Sequence, residues 1–339
     1  MLVDMHAHYI PREFPPAGTR AAGERWPRML PADGGARVFF TRPDGSGYTA
    51  RPVWWDPAER RAAMQATGVD AEVVSPFPGV LGYGYSPDDA LDLSRHVNAS
   101  ISELCQSDPR RFFGLGMAPM QDPSLAARSL SEISRLGLLG VEAASNINGV
   151  SLGDERFSDF FGEAESLDLA VFVHGLAPTF ADRYPPSAGG GFGVAAEIGL
   201  GAVSLAASGI MERFPKLRIA LSHGAGGFPL MLTRAQFFWG RTWDEEAPME
   251  GATSGVSPYE TARKFFYDTL VFDRRALRYL VDLLGSSQLL VGTDHPAMQR
   301  EQPVGKTLRR AGLSESQAED IRWHNCFRWL GIEVPALVS

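Results

Sequence analysis

The chain has 339 residues, 44% of them hydrophobic and 21% charged, with a formal net charge of −8. That is an ordinary globular balance with ample apolar material for a core. It lacks the basic surplus of a nucleic-acid-binding chain, though a single arginine can still hold a small anion.

In chain order, the first apolar run is "MLVDMH" (1–6), read as a strand. Asp4 and His6 interrupt it, so it is not read as a signal peptide. Residues 9–55 form a Pro- and Gly-rich insertion, with a hairpin around "RVFFTRPDGSGYTARPVWW" whose DGSG is a turn signal. A helix follows, with Asp56 as N-cap and Pro57 at its first position. Next come a strand at 71–76, a helix opened by Ser86 and Pro87, and a strand at 112–118. A helix opened by Asp122 and Pro123 and stopped by Gly137 leads to strands at 139–145 and 169–175. A loop at 176–193 has no clear period. Strands at 217–224, 265–271 and 288–294 complete the series, with an insertion at 241–257. Several strands are apolar throughout, as strands buried on both faces should be.

Eight strands alternating with helices read as an α/β chain, a (β/α)8 TIM barrel occupying 1–339 as one domain. Both 9–55 and 176–193 follow strands, on the face where barrel active sites are built. No apolar run is read as reaching the ~18 residues of a membrane span, so no membrane contact is expected. Cys105 and Cys326 fit neither a disulfide framework nor a C-x-x-C metal site, and point to reduced thiols in a cytoplasmic protein.

Side chains two apart on a strand share a face, so His6 and His8 converge. Three further polar residues end apolar strands: His174 in "VFVHG", His223 in "IALSHG" and Asp294 in "LLVGTD". In a parallel barrel these ends meet at one mouth. Imidazoles and a carboxylate there suit one divalent metal, most simply zinc, with manganese or cobalt also compatible. His96 and His324 lie in helices and read as structural or exposed. No G-x-G-x-x-G runs from a strand into a helix, which disfavours a nicotinamide cofactor.

The motifs "VDMHAHYIP", "FVHG", "SHGAGGFP" and "VGTDHP" resemble the signatures of the amidohydrolase superfamily. More narrowly they resemble its branch containing aminocarboxymuconate-semialdehyde decarboxylase and the resorcylate-type aromatic acid decarboxylases. The stretches "RPVWWDPAERRAAMQATGVDAEVVSPFP", "ERFPKLRIALSHGAGGFPLMLTR" and "SPYETARKFFYDTLVFDRRALRYLV" extend the likeness over most of the chain. The resemblance implies that His6, His8, His174 and Asp294 ligate the metal. It makes His223 a general base or acid and Arg51 a binder of a substrate carboxylate. It also implies a homodimer in which Arg234 reaches the neighbouring subunit's site.

The fourth strand, "LGVEAAS", has none of the three lysines nearby, so no carboxylated lysine bridges two metals. Glu142 offers another bridge, but an inward-facing barrel residue with a structural partner is the simpler reading, and one metal is expected. The loop after His174 lacks the tryptophan that the resemblance leads one to expect. Phe180, Tyr184 or Phe192 supply a ring contact to the substrate there, or simply pack the loop. His295 is a second proton donor at the substrate, an orienting partner of Asp294, or a capping residue turned away. Trp54 and Trp55 wall the pocket or cover the barrel mouth.

The resemblance implies a metal-dependent, non-oxidative decarboxylase of an aromatic or muconate-like carboxylic acid. The proton for the carbon comes from Asp294 or from a water activated at His223. The alternative on the same ligands is a hydrolase of a lactone, an amide or a C–C bond, or a hydratase.

Overall fold

The computed structural model describes residues 1–40, 47–176, 178–240 and 256–334. All eight expected apolar runs are strands of one parallel sheet: β1 Val3–Tyr9, β2 Ala71–Pro76, β3 Phe112–Met117, β4 Gly140–Ala144, β5 Ala170–His174, β6 Ile219–Leu221, β7 Phe266–Asp268 and β8 Leu289–Leu290. They pair in chain order. The sheet closes on itself through an Ala7–His295 bridge and the bonds Met5 N to Val291 O (2.8 Å), Asp294 N to His6 O (2.8 Å) and His8 N to His295 O (2.6 Å). The TIM barrel read from the sequence is therefore the fold.

Between and after the strands run α1 Pro57–Thr67, α2 Pro87–Ser107, α3 Pro123–Arg135, α4 Ser158–Ser166, α5 Val194–Ala207, α6 Phe228–Trp239, α7 Arg274–Leu284 and α8 Asn325–Leu330. The first three begin as their sequences dictate. Asp56, Ser86 and Asp122 each accept a backbone N–H of the first turn, and a proline follows each cap. The proline has no N–H to leave unsatisfied and its φ suits a helix.

The core has two parts. The larger fills the space between strands and helices. The smaller holds alternate strand residues such as Val3, Met5, Val73, Phe172 and Leu290, with Phe327 and Trp329 of α8 packed among them.

A β-bulge in β1 decides which side each residue faces. Asp4 pairs with Glu72 and Ala7 with Val74, so β1 spends one residue more than β2 over this stretch. Val3 and Met5 belong to the inner cluster, while Asp4 and Glu72 are bound by Arg300 on the opposite face. The extra residue turns His6 inward too, with its ring 4.9 Å from Phe172.

The sequence reading runs three strands on by three residues or more. β6 stops at Leu221, β7 at Asp268 and β8 at Leu290. His223 lies beyond β6 and Asp294 beyond β8, with φ of 52° and 58°. A left-handed residue cannot continue a ladder, and the turn it makes redirects the side chain.

The hairpin in the first insertion is present, with Arg37–Phe40 paired antiparallel to Gly47–Ala50. Of its DGSG turn at 44–47, residues 44–46 lie outside the described residues. Arg28–Pro31 adds a third strand that the sequence reading lacked. Of the insertion at 241–257, residues 241–255 also lie outside the described part.

One correction concerns length and hydropathy. Pro186–Ala207 is a helical stretch long and apolar enough to cross a membrane, with mean hydropathy 1.4. Its apolarity comes from Ala and scattered Val, Ile and Leu, interrupted by Gly and by Glu197, so it does not stand out by eye. Its α5 part buries Ile198, Ala202 and Leu205 in the main core.

Candidate metal centre

Strand ends β1 and β5 and the turns after β6 and β8 bring five predicted side chains together. The His6 and His174 ring centroids are 5.1 Å apart, His8 and His174 5.2 Å, and His174 and His223 5.0 Å. One donor atom from each of His6, His174, His223 and Asp294 lies within 4.8 Å of the other three. His8 joins the same cluster. Its Nε2 is 3.1 Å from His6 Nε2 and 3.1 Å from Asp294 Oδ1.

The outer partners fix the tautomers. His6 Nδ1 donates to Asp268 Oδ2 at 2.7 Å, His8 Nδ1 to the Pro76 carbonyl at 3.1 Å, and His174 Nδ1 to the Gly175 carbonyl at 2.9 Å. A carboxylate or carbonyl oxygen only accepts, so each Nδ1 carries the proton. Each neutral ring then presents its Nε2 lone pair inward, and His6, whose acidic neighbours favour a second proton, does so once a cation displaces that proton. The Nε2 atoms of His174 and His223 are buried with no hydrogen-bond partner among the described residues. Converging lone pairs beside a carboxylate repel one another until a cation sits between them, so the residues present fit a divalent metal.

The electrostatics agree. Burial lowers the imidazoles of His8, His174 and His223, keeping them neutral and able to donate a lone pair. Burial also works against a charged His6, but the Asp268 hydrogen bond and the charges of Asp294, Asp268 and Glu142 outweigh it and hold its pKa at about 9. The pocket attracts positive charge at that point. Burial pushes the Asp294 carboxyl up, yet His8 Nε2 at 3.1 Å and the positive charge favoured on His6 hold it well below the usual carboxylate range.

Two residues were missed by the sequence reading. Asp268 ends β7 fully buried. Its Oδ2 takes the His6 proton donor, while its Oδ1 accepts the N–H of Gly224 at 2.9 Å and of Leu270 at 3.1 Å. One carboxylate thus orients His6 and pins the turn that aims His223. Tyr48, from the hairpin, stacks on Phe77 with centroids 5.8 Å apart, and the Phe77 ring meets His8 at 5.9 Å. Trp54 abuts both Tyr48 and Phe77, which makes an aromatic wall beside His8.

Other expected residues fall elsewhere. Glu142 is fully buried, as an inward-facing barrel residue should be, with Ser75 interacting with its carboxyl and His8 Nδ1 3.8 Å away. Burial raises its pKa to about 8. Arg51 is exposed at the start of a short 3-10 turn, Pro52–Trp54. Arg234 is exposed on α6, its guanidinium 4.8 Å from the Phe238 ring centre. Phe180 and Tyr184 pack on each other, 5.9 Å between centroids, in the loop after β5. His295 is buried with its Nδ1 3.7 Å from Glu72, on the side of β1 away from the histidines. Burial and the nearby Arg300 lower it to about 3. His96 is hydrogen-bonded to the Glu13 carbonyl at 2.8 Å. Both cysteines are free thiols.

A family model described as amidohydrolase matches residues 3–332. The chain belongs to the amidohydrolase family. This amidohydrolase is 30% identical over 346 residues to 2-amino-3-carboxymuconate-6-semialdehyde decarboxylase of Dictyostelium discoideum, covering 98% of this chain and 92% of the relative. It is also 30% identical over 222 residues to gamma-resorcylate decarboxylase of Rhodococcus jostii, covering 61% and 67%. Among solved structures, 5-carboxyvanillate decarboxylase of Sphingomonas paucimobilis superposes with a TM-score of 0.78 at 26% identity, covering 98% of this amidohydrolase and 99% of that chain.

Proposed function

We propose that this amidohydrolase is a metal-dependent, non-oxidative decarboxylase of a small aromatic or conjugated unsaturated carboxylic acid. The observation that carries the reading is the inward set of Nε2 lone pairs beside Asp294, on a chain alike over nearly its whole length to a decarboxylase. His6, His8, His174 and Asp294 hold the metal. When bound, the metal supplies Lewis acidity, polarising a substrate oxygen and lowering the pKa of a water toward ~7. The donor set is all nitrogen and oxygen, so zinc, manganese and cobalt all suit it.

The remaining steps belong to the chain. Arg51 pairs with the substrate carboxylate. Tyr48, Trp54 and Phe77 flank a planar ring with aromatic faces. His223, neutral and with an unpaired Nε2, takes a proton from a water and passes it to the carbon bearing the carboxylate, and the hydroxide left behind is reprotonated from solvent. The electrons of the C–C bond then restore the ring's conjugation, and carbon dioxide leaves. Burial of the cluster excludes bulk water and strengthens every charge interaction inside it.

The functional unit is a homodimer. On α6, Leu230 and Phe238 are 69% and 58% exposed, with Arg234 one helical turn from each. Leu200 and Val203 of α5 add to the exposed apolar surface. A patch of this kind suits a second copy of the chain, and Arg234 extends from it toward the partner's site.

The test is carbon dioxide release by chain loaded with zinc or with manganese, across ortho-hydroxybenzoates, aminobenzoates and muconate-type acids. Release that vanishes in Asp294→Ala supports the reading. Bound metal with no release from any of them sinks it, and lactones become the next substrates to try.

A further inference from the structure

The donor cluster spans the seam between β1 and β8: His6 and His8 lie on β1, and Asp294 follows β8. That seam is thin. β8 pairs with β7 at only two positions, and it meets β1 through one isolated bridge and a few backbone bonds. The β1–β2 ladder, by contrast, pairs five positions.

On the face of β1 away from the histidines, a buried set of charges crosses this same seam. Arg300, 6% exposed, comes from the segment after β8. Its Nη2 donates to Asp4 Oδ2 on β1 at 2.8 Å and to Glu72 Oε1 on β2, and its Nε donates to Thr293 Oγ1 at 3.2 Å. Thr293, which precedes Asp294, donates its hydroxyl to Asp4 Oδ2. Asp4 Oδ1 accepts the backbone N–H of His6 at 3.2 Å. Arg60 of α1 continues the chain of contacts, with Nε on Glu72 Oε2 at 2.9 Å and Nη1 on the carbonyl of His8 at 2.8 Å. Two guanidiniums balance two carboxylates. The set grips the backbone of His6 and of His8 and the residue before Asp294, yet touches none of the inward donor atoms.

We propose that Arg300 is a positioning residue for the metal centre. Acting with Asp4, Glu72 and Arg60, it clasps the β1–β8 seam and sets the distance from the β1 histidines to Asp294. A buried ion set is a poor source of net stability, because desolvation offsets its attraction. Registry is what fixed hydrogen-bonding geometry provides at a seam with few ladder bonds. Partners behind the ligands commonly govern metal affinity by ~10- to 100-fold. This inference rests on the metal-site reading and is independent of which reaction the site performs.

The test is a Co2+ titration of the full chain, reading affinity by competition with a chelator and geometry from the visible d–d bands. Arg300→Met strands a carboxylate. The double variant Arg300→Met/Asp4→Asn leaves Arg60 balanced by Glu72, and keeps the test open should the single variant fold poorly. The clasp predicts about 10- to 100-fold weaker Co2+ binding and altered d–d bands in the double variant, with its far-UV circular dichroism unchanged. Wild-type affinity and spectrum in the folded double variant overturn the clasp. A wild-type chain that fails to bind Co2+ overturns the metal reading beneath it.

Discussion

Asp268 shows how one buried carboxylate serves two neighbours, since it fixes the His6 tautomer and the His223 turn together. Asp268→Asn keeps the shape but offers His6 an amide N–H, which drives the imidazole proton to Nε2 and removes the inward lone pair. The expected result is metal affinity weakened by ~10–100-fold, with a fall in turnover as the His223 turn loosens, and metal titration checks it. Unchanged affinity would remove Asp268 from this role. The five histidine and aspartate positions of the cluster were legible because each polar residue closes an apolar run, a pattern visible within a few residues. Asp268 also closes an apolar run, in "FFYD", but the "TLV" after it leaves it in mid-strand on paper. Its meaning comes from a partner 262 residues away, across a closed barrel. Arg300, Asp4 and Glu72 were hidden for the same reason.

All eight strands and the caps of α1, α2 and α3 could be read from local chemistry: continuous apolar runs, and Asp or Ser followed by Pro. What escaped was whatever depends on pairing between elements. The β1 bulge leaves no mark in "VDMHAHY", although it is what lets His6 face inward while Asp4 faces out. The ends of β6 and β8 ran long on paper because His223 and Asp294 continue apolar strings, and their left-handed backbone is a property of the turn. Gly292 illustrates the same limit. A Cβ there would sit 2.9 Å from that of His6 and 2.8 Å from that of Asp268, so glycine at this place is what lets the two close on each other. The strand Arg28–Pro31 is short, half proline-flanked and paired only to the hairpin, and nothing in its composition separates it from loop.

Seen entire, the molecule is a barrel whose mouth gathers imidazoles and a carboxylate, with an exposed apolar face on α5 and α6. If Arg51 acts within its own subunit and Arg234 in its partner's site, the two defects complement. Arg51→Ala and Arg234→Ala chains are each expected to be weak alone. Mixed and allowed to exchange, they recover about a quarter of wild-type activity, because half the dimers then carry one intact site. No recovery on mixing, with exchange shown to occur, would place Arg234 outside the neighbouring site.

The central claim is that the site replaces a carboxylate by a proton on the same carbon. Running the reaction in D2O and reading the product by NMR tests it in one experiment. The account predicts a product short of one carboxylate, with a single deuterium on the carbon that bore it. A product that keeps the carboxylate and has gained the elements of water, as a hydroxyl or an opened ring, would contradict it.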